Sequence, residues 1–368
     1  MNNPPAWCLI ESDPAVFTEL LNSFGAKNLE FEELFDLDDD AFNSLNSCQK
    51  VYGYIFLFKW TEGTERNNSE DEYSLPADLI FPKQIVQNAC ATVSILSLIL
   101  NNDSFILNDE IRLLRTNLLN AESLVQGLAI AHSEFIRKAH NSFGEPSSFE
   151  ILAGGEAKDA FHFVSYIPFK GKVYELDGLK QAPVCLGNYE GKDWHASVQR
   201  RIRQRIERLQ PSADASAPSD EIRFNLMALV EDSLWKIQQD VEMQRHCIQR
   251  ATIKLLSFGE DLDLEDEVDD SAAPVGTLSI EELSDDIPTL YRIKEDAAST
   301  LVELRKNEES VLQKKKRWHK ENAFRRHDFV PFLLCALRHL GRHKLLKASY
   351  TEAKEKTRQA AANKVAQK

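Results

Sequence analysis

The chain has 368 residues, 43% of them hydrophobic, and a formal net charge of −14. That length suggests two domains, or one large domain with an appendage, and the acidic balance excludes a general nucleic-acid binder. Six cysteines with no CxxC pair, no stretch near the roughly 18 apolar residues of a membrane span, and an Asn-Asn-Pro-Pro start argue against a zinc cluster, a disulfide framework, a membrane protein and secretion.

Trp7-Cys8-Leu9-Ile10 reads as a short apolar strand. Ser12-Asp13-Pro14 reads as a helix start, Phe17, Leu20, Leu21 and Phe24 follow at helical spacing, and Gly25 ends the run. Val51 to Trp60 is aromatic and β-branched, which predicts a buried strand. Glu62 to Ser74 is polar and reads as a surface loop. Asn88 to Leu100 has the length and apolar content of a buried helix, and 110–140 is a second helical region. The Gly/Ser/Pro-rich 141–159 breaks every period before two strands, Ala160 to Phe169 and Lys172 to Asp177, joined by a hairpin turn. Lys192 to Leu209 is a charged helix, Gln210 to Asp220 a loop, and Glu221 to Val230 returns to apolar structure.

The organisation predicted is a compact α+β domain over 1–230, a helix and acidic flexible linker over 231–288, and a helical extension over 289–368. Residues 259–286 hold twelve carboxylates and no Lys or Arg. Residues 311–368 carry 16 basic and 4 acidic residues, a basic end on an acidic body. Phe329, Phe332, Leu333, Ala336, Leu337 and Leu340 form one apolar helical face. Lys354 to Lys368 reads as frayed.

Chemistry enters with Gln84, Cys90, His162 and Asp177. Cys90 opens a helical run, where backbone N–H groups and the helix dipole favour a thiolate. His162 lies in one strand and Asp177 in its hairpin partner. The order Cys, His, Asp is that of a papain-like thiol hydrolase: the thiolate attacks a carbonyl, the imidazole shuttles the proton, and the carboxylate holds the ring. Gln84 can donate to the developing oxyanion beside the Cys90 N–H. Singly, each has an ordinary reading, a core cysteine, a satisfied histidine and a turn aspartate.

The local strings resemble the ubiquitin carboxyl-terminal hydrolase family. Gln84 to Cys90, with Asn88-Ala89-Cys90, is similar to its nucleophile segment, Phe161-His162-Phe163-Val164-Ser165-Tyr166 to its histidine strand, and Tyr174-Glu175-Leu176-Asp177-Gly178 to its aspartate strand. The resemblance covers about 1–230. It implies a papain-like α+β fold that cleaves after the terminal Gly of ubiquitin. It implies Cys90 as nucleophile, His162 as general base and acid, Asp177 as orienting carboxylate and Gln84 as oxyanion donor, with no cofactor and no metal. It further implies a crossover loop over 141–159, and Leu34, Leu37 and Phe224 as apolar ubiquitin contacts. Arg325 to Leu334 resembles the extension of the long members. That implies docking of 289–368 on a ubiquitin-receptor subunit of the proteasome or on a chromatin-remodelling complex, in cytoplasm and nucleus. The other class left open is an inactive ubiquitin-binding adaptor.

Overall fold

The computed structural model describes all residues except 1–6, 39, 43–44, 46–48, 60–70, 87, 145–160, 192–193, 210–223, 264–273, 275 and 367–368. Contacts divide the chain into two units, Met1–Asn322 and Ala323–Lys368.

The first unit is built on a seven-stranded antiparallel sheet. Its strands are β1 (Leu29–Leu34), β2 (Val51–Lys59), β3 (Glu72–Tyr73), β4 (Phe161–Phe169), β5 (Lys172–Leu176), β6 (Val184–Asn188) and β7 (Phe224–Glu231). The spatial order is β1-β7-β2-β4-β5-β6-β3. The turn between β4 and β5 has positive φ at both Lys170 (47°) and Gly171 (78°), the twist a tight hairpin demands.

Alternation along the central strands feeds two cores. On one face, Phe31, Ile55, Phe163, Ile167 and Met227 pack against α1 (Pro14–Ser23) and α2 (Cys90–Ile99), with α3 (Asp109–Leu118), α4 (Ser123–His132) and α5 (Glu134–Asn141) completing the layer. On the other face, Tyr54, Phe56, Phe58, Val164, Tyr166 and Leu226 pack under α6 (Trp194–Leu209) through Trp194, Val198 and Ile202. The result is an α+β architecture, as expected. α1 starts where the sequence signals it: Asp13 caps the Ala15 N–H at 2.7 Å and Pro14 fills the first turn.

Several expectations are corrected. Residues 7–10 form no strand and pair with none among the described residues. They are held by side chains instead: the Asn141 Oδ1 accepts from the Cys8 N–H at 3.0 Å, and Asn88 Nδ2 donates to the Trp7 carbonyl at 3.2 Å. Within the expected loop 62–74, Glu72 and Tyr73 form an edge strand against β6, and 62–70 lies outside the described residues. The region 110–140 is three helices, because Asn120 takes a left-handed φ of 67° and Ser133 caps the Ile136 N–H.

Beyond 230 the chain stays attached to the first unit. α7 (Ser233–Ser257) is capped by Asp232, and α8 (Ile287–Arg326) follows. Part of the acidic stretch expected to be flexible, 276–286, folds over α7. Arg250 donates to the Thr277 carbonyl at 3.3 Å, Lys254 donates to the Ile280 carbonyl at 3.2 Å, and Leu283 packs on Leu255 and Leu290. Two buried cations satisfying loop carbonyls outweigh the local charge excess there. Within that stretch, 264–273 and 275 lie outside the described residues.

The second unit holds α9 (Val330–Arg342) and α10 (Leu346–Ala366). α10 runs through most of the tail expected to fray. Phe329, Phe332, Leu333 and Leu337 of the apolar face are all exposed, Phe332 to 66%.

Candidate active site

The β4–β5 register places His162 and Asp177 together. Ser165 pairs with Leu176, so continuing the ladder sets Asp177 opposite Val164 and diagonal to His162, on the same face of the sheet. There His162 Nε2 and Asp177 Oδ1 lie 2.8 Å apart, with His162 3% exposed and Asp177 fully buried. The Leu179 N–H donates to the same oxygen at 3.0 Å. Burial pushes the Asp177 carboxyl up, but the hydrogen bond and charge of His162, the charge of Arg205 and the Leu179 N–H outweigh it and hold Asp177 below the usual carboxylate range. Since a carboxylate only accepts, Nε2 carries the proton and Nδ1 is the basic nitrogen of the neutral ring.

Cys90 opens α2 as expected, and it is buried. The backbone N–H groups of Ala91, Cys90 and Phe163 point to its sulfur and favour the thiolate. Burial outweighs them and, with the nearby Asp177 charge, drives the thiol up to about 11. The helix-start donors expected to favour a thiolate are present, and desolvation opposes them. Deprotonation of Cys90 has to be coupled to a base. The Phe163 N–H, one residue past His162, ties the sulfur to the strand that carries the imidazole.

Gln84 is fixed from the aspartate side. Its N–H donates to the Gly178 carbonyl at 3.0 Å, and a Cβ at Gly178 would lie 3.0 Å from both the Gln84 Cβ and its N. The loop after Asp177 thus packs directly on the Gln84 backbone. Of the apolar contact candidates, Leu34 lies in the core under β1, Leu37 is half-buried with its carbonyl accepting from Gln199 Nε2 at 3.0 Å, and Phe224 is exposed at the start of β7. Of the crossover loop expected over 141–159, residues 145–159 lie outside the described residues.

Sequence reading missed the charges behind Asp177. Glu175, fully buried, accepts from Arg201 Nε at 2.7 Å and Lys180 Nζ at 2.9 Å, and Arg205 Nη2 lies 3.4 Å away. Asp71 joins Arg201 at 2.9 Å and Lys180 at 3.3 Å. Two signals were present: a carboxylate inside the apolar Val173-Tyr174-Glu175-Leu176 strand, which needs a partner when buried, and Arg201 and Arg205 one turn apart on α6. Also missed was His140, whose Nε2 contacts the Cys8 carbonyl and whose Nδ1 contacts Thr92 Oγ1, both at 2.7 Å.

The profile described as ubiquitin carboxyl-terminal hydrolase, family 1, matches residues 7–207, and a second, ubiquitin carboxyl-terminal hydrolases, matches 306–346. The chain is 34% identical to ubiquitin carboxyl-terminal hydrolase isozyme L5 of Dictyostelium discoideum over 98% of both chains. It is 32% identical to ubiquitin carboxyl-terminal hydrolase ubh-4 of Caenorhabditis elegans over 97% of this chain and 96% of that one. Among solved structures it is similar to the Trichinella spiralis UCH37 catalytic domain bound to ubiquitin vinyl methyl ester, with a TM-score of 0.52 and 36% identity over 62% of this chain and 97% of that chain.

Proposed function

Because the chain belongs to the ubiquitin carboxyl-terminal hydrolase family, a family of cysteine-type deubiquitinating hydrolases, we propose that Cys90, His162, Asp177 and Gln84 carry its reaction at the bond after the C-terminal Gly of ubiquitin. The observation that supports these roles most is the buried 2.8 Å contact of His162 Nε2 with Asp177 Oδ1, beside a cysteine whose sulfur faces the Phe163 N–H.

In this reading His162 Nδ1 takes the Cys90 proton as the sulfur attacks the Gly carbonyl. The coupling removes the cost of a buried free thiolate. Charge develops on the carbonyl oxygen, where the Gln84 amide and the Cys90 N–H stabilise it. The imidazolium, held by Asp177, returns its proton to the leaving amine, and a thioester to Cys90 remains. Water then attacks the thioester with His162 as base, releasing the ubiquitin carboxylate and the thiol. Phe224 and Leu37 offer apolar surface for ubiquitin, and Leu34 supports them from the core.

The C-terminal unit is read as a docking segment for a helical, acidic surface on a ubiquitin-receptor subunit of the proteasome, in cytoplasm and nucleus. Its uncovered α9 face and the basic residues after it support that reading. Ubiquitin with an electrophile at its C-terminus tests the catalytic reading: it should form a covalent adduct on Cys90 and none on the Cys90→Ala chain. An unlabelled wild-type chain would instead leave an inactive ubiquitin-binding protein.

A further inference from the structure

Among the three cations around Glu175, Arg205 differs from the others. Its Nη2 lies 3.9 Å from Asp177 Oδ2, on the far side of that carboxylate from His162. The two Asp177 oxygens are unequally served. Oδ1 accepts from the Leu179 N–H and pairs with His162, whereas Oδ2 is buried with no hydrogen-bond partner among the described residues. A buried carboxylate oxygen without a donor is costly unless a charge compensates it. The Arg205 guanidinium is also stacked over the Phe58 ring at 4.7 Å. The same ring meets His162 edge-on, with centroids 5.8 Å apart and an interplanar angle of 89°. One side chain therefore touches both supports of the imidazole.

We propose that Arg205 is a positioning residue for the proton-handling pair: it keeps Asp177 ionised and, through Phe58, fixes the plane of His162, without touching substrate. The proposal rests on the roles given above to His162 and Asp177. The groups facing Asp177 are His162 from β4, Arg205 from α6, Cys90 at the start of α2, Lys83 before it, and Glu175 from β5. Lys180, Arg201 and Asp71 lie one layer out, around Glu175. Removing Arg205 also takes from Glu175 a donor at 3.4 Å and the strongest of the charges that favour its carboxylate, but leaves it Arg201 and Lys180, whereas Asp177 Oδ2 loses the cation that faces it.

The sign follows from charge. A cation beside Asp177 favours its carboxylate. A neutral residue at 205 raises the pH at which Asp177 protonates, so the acid limb of the activity profile moves to higher pH. Loss of packing alone would lower the rate at every pH and leave the limb in place.

The test is the pH profile of kcat and KM for the full chain on a ubiquitin C-terminal reporter, with Arg205→Met, Arg205→Lys, Asp177→Asn and Cys90→Ala. Arg205→Met should lose about 10- to 100-fold in kcat with KM little changed, as expected for a support behind a reacting group. Its acid limb should rise by about one unit. Arg205→Lys should restore the limb but only part of the rate, because an ammonium keeps the charge and loses the planar stack. In the Asp177→Asn background, Arg205→Met should add little, since the charge it compensates is gone. An Arg205→Met limb that coincides with wild type, or full additivity with Asp177→Asn, overturns the proposal. Should Arg205→Met not fold, ¹³C NMR of the wild-type chain decides: Asp177 must titrate below exposed aspartates, and ordinary titration overturns the proposal. Turnover by Cys90→Ala would instead overturn the catalytic reading on which it rests.

Discussion

Lys315, in the second half of α8, donates to Glu30 of the edge strand β1 across 2.7 Å and 285 positions of sequence. It also donates to Asp232 at 2.6 Å, and the Ser233 N–H donates to Glu30 at 2.9 Å. Beside it Lys314 pairs with Glu32, and Asn322 donates to the Ala15 carbonyl at 2.9 Å. Glu30 is fully buried, so its oxygens need the donors that Lys315 and the Ser233 N–H supply.

Lys315→Met should therefore destabilise the first unit by about 1–3 kcal/mol, less than a fully buried pair because the lysine side chain is part-exposed. A chain cut after 230 should melt below one cut after Asn322, while both still hydrolyse a small ubiquitin reporter. Equal melting temperatures for the two truncations would show that α8 contributes nothing to the body it lies on.

Reporter hydrolysis should vanish in Cys90→Ala and fall nearly as far in His162→Ala. Asp177→Asn should lose less than either, since it leaves the imidazole in place but mis-sets its tautomer. Steady-state kinetics on folded variants read this order, and a Cys90→Ala chain with normal turnover would remove the nucleophile assignment.

Gly178→Ala gives a separate route to Gln84. The added Cβ meets the Gln84 Cβ and N at 3.0 Å, closer than such contacts normally come, and two of the three nearest atoms are backbone. The Gln84 segment must shift by a few tenths of an ångström. If Gln84 serves the oxyanion, Gln84→Ala should cost roughly 10²–10³ in kcat. Gly178→Ala should then lose kcat in the same sense with little change in KM. Unimpaired kcat in both variants would place the oxyanion donors elsewhere.

His140 makes the fold acid-sensitive. Burial takes its pKa from 6.5 down to about 4, against the pull of its contact with the Cys8 carbonyl. The unfolded chain gains a proton near 6.5 and the folded chain only near 4, so this contribution is complete above 6.5 and is lost as pH falls toward 4. The loss amounts to about 3 kcal/mol at its limit. Urea unfolding across that window should show a steeper decline for wild type than for His140→Gln. Matching slopes would mean that other groups set the acid limit.

Leu337→Asp places a charge on the exposed face of α9. It should abolish co-sedimentation with proteasomes and leave reporter hydrolysis unchanged. Retained co-sedimentation would assign docking to another surface.

What the sequence determined by itself is local. Helical spacing, the Asp13-Pro14 start, the Lys170-Gly171 turn and the two strands it joins all depend on neighbours in the chain, and the two-residue strand period then sets His162 and Asp177 on one face. The two strands were legible for that reason, and the roles of the nucleophile segment, the histidine and the aspartate through their resemblance to the family's local strings. β1 went unread, although Leu29, Phe31 and the glutamates between and after them alternate along it. The tertiary structure decided what lies behind and around these residues. Burial pushed the Cys90 thiol up, the packing of α6 brought Arg205 to Asp177 and Glu175, and α8 returned Lys315 to Glu30. Desolvation and ion pairing depend on which surfaces meet, and residues 30 or 285 positions apart carry no local pattern that says they will.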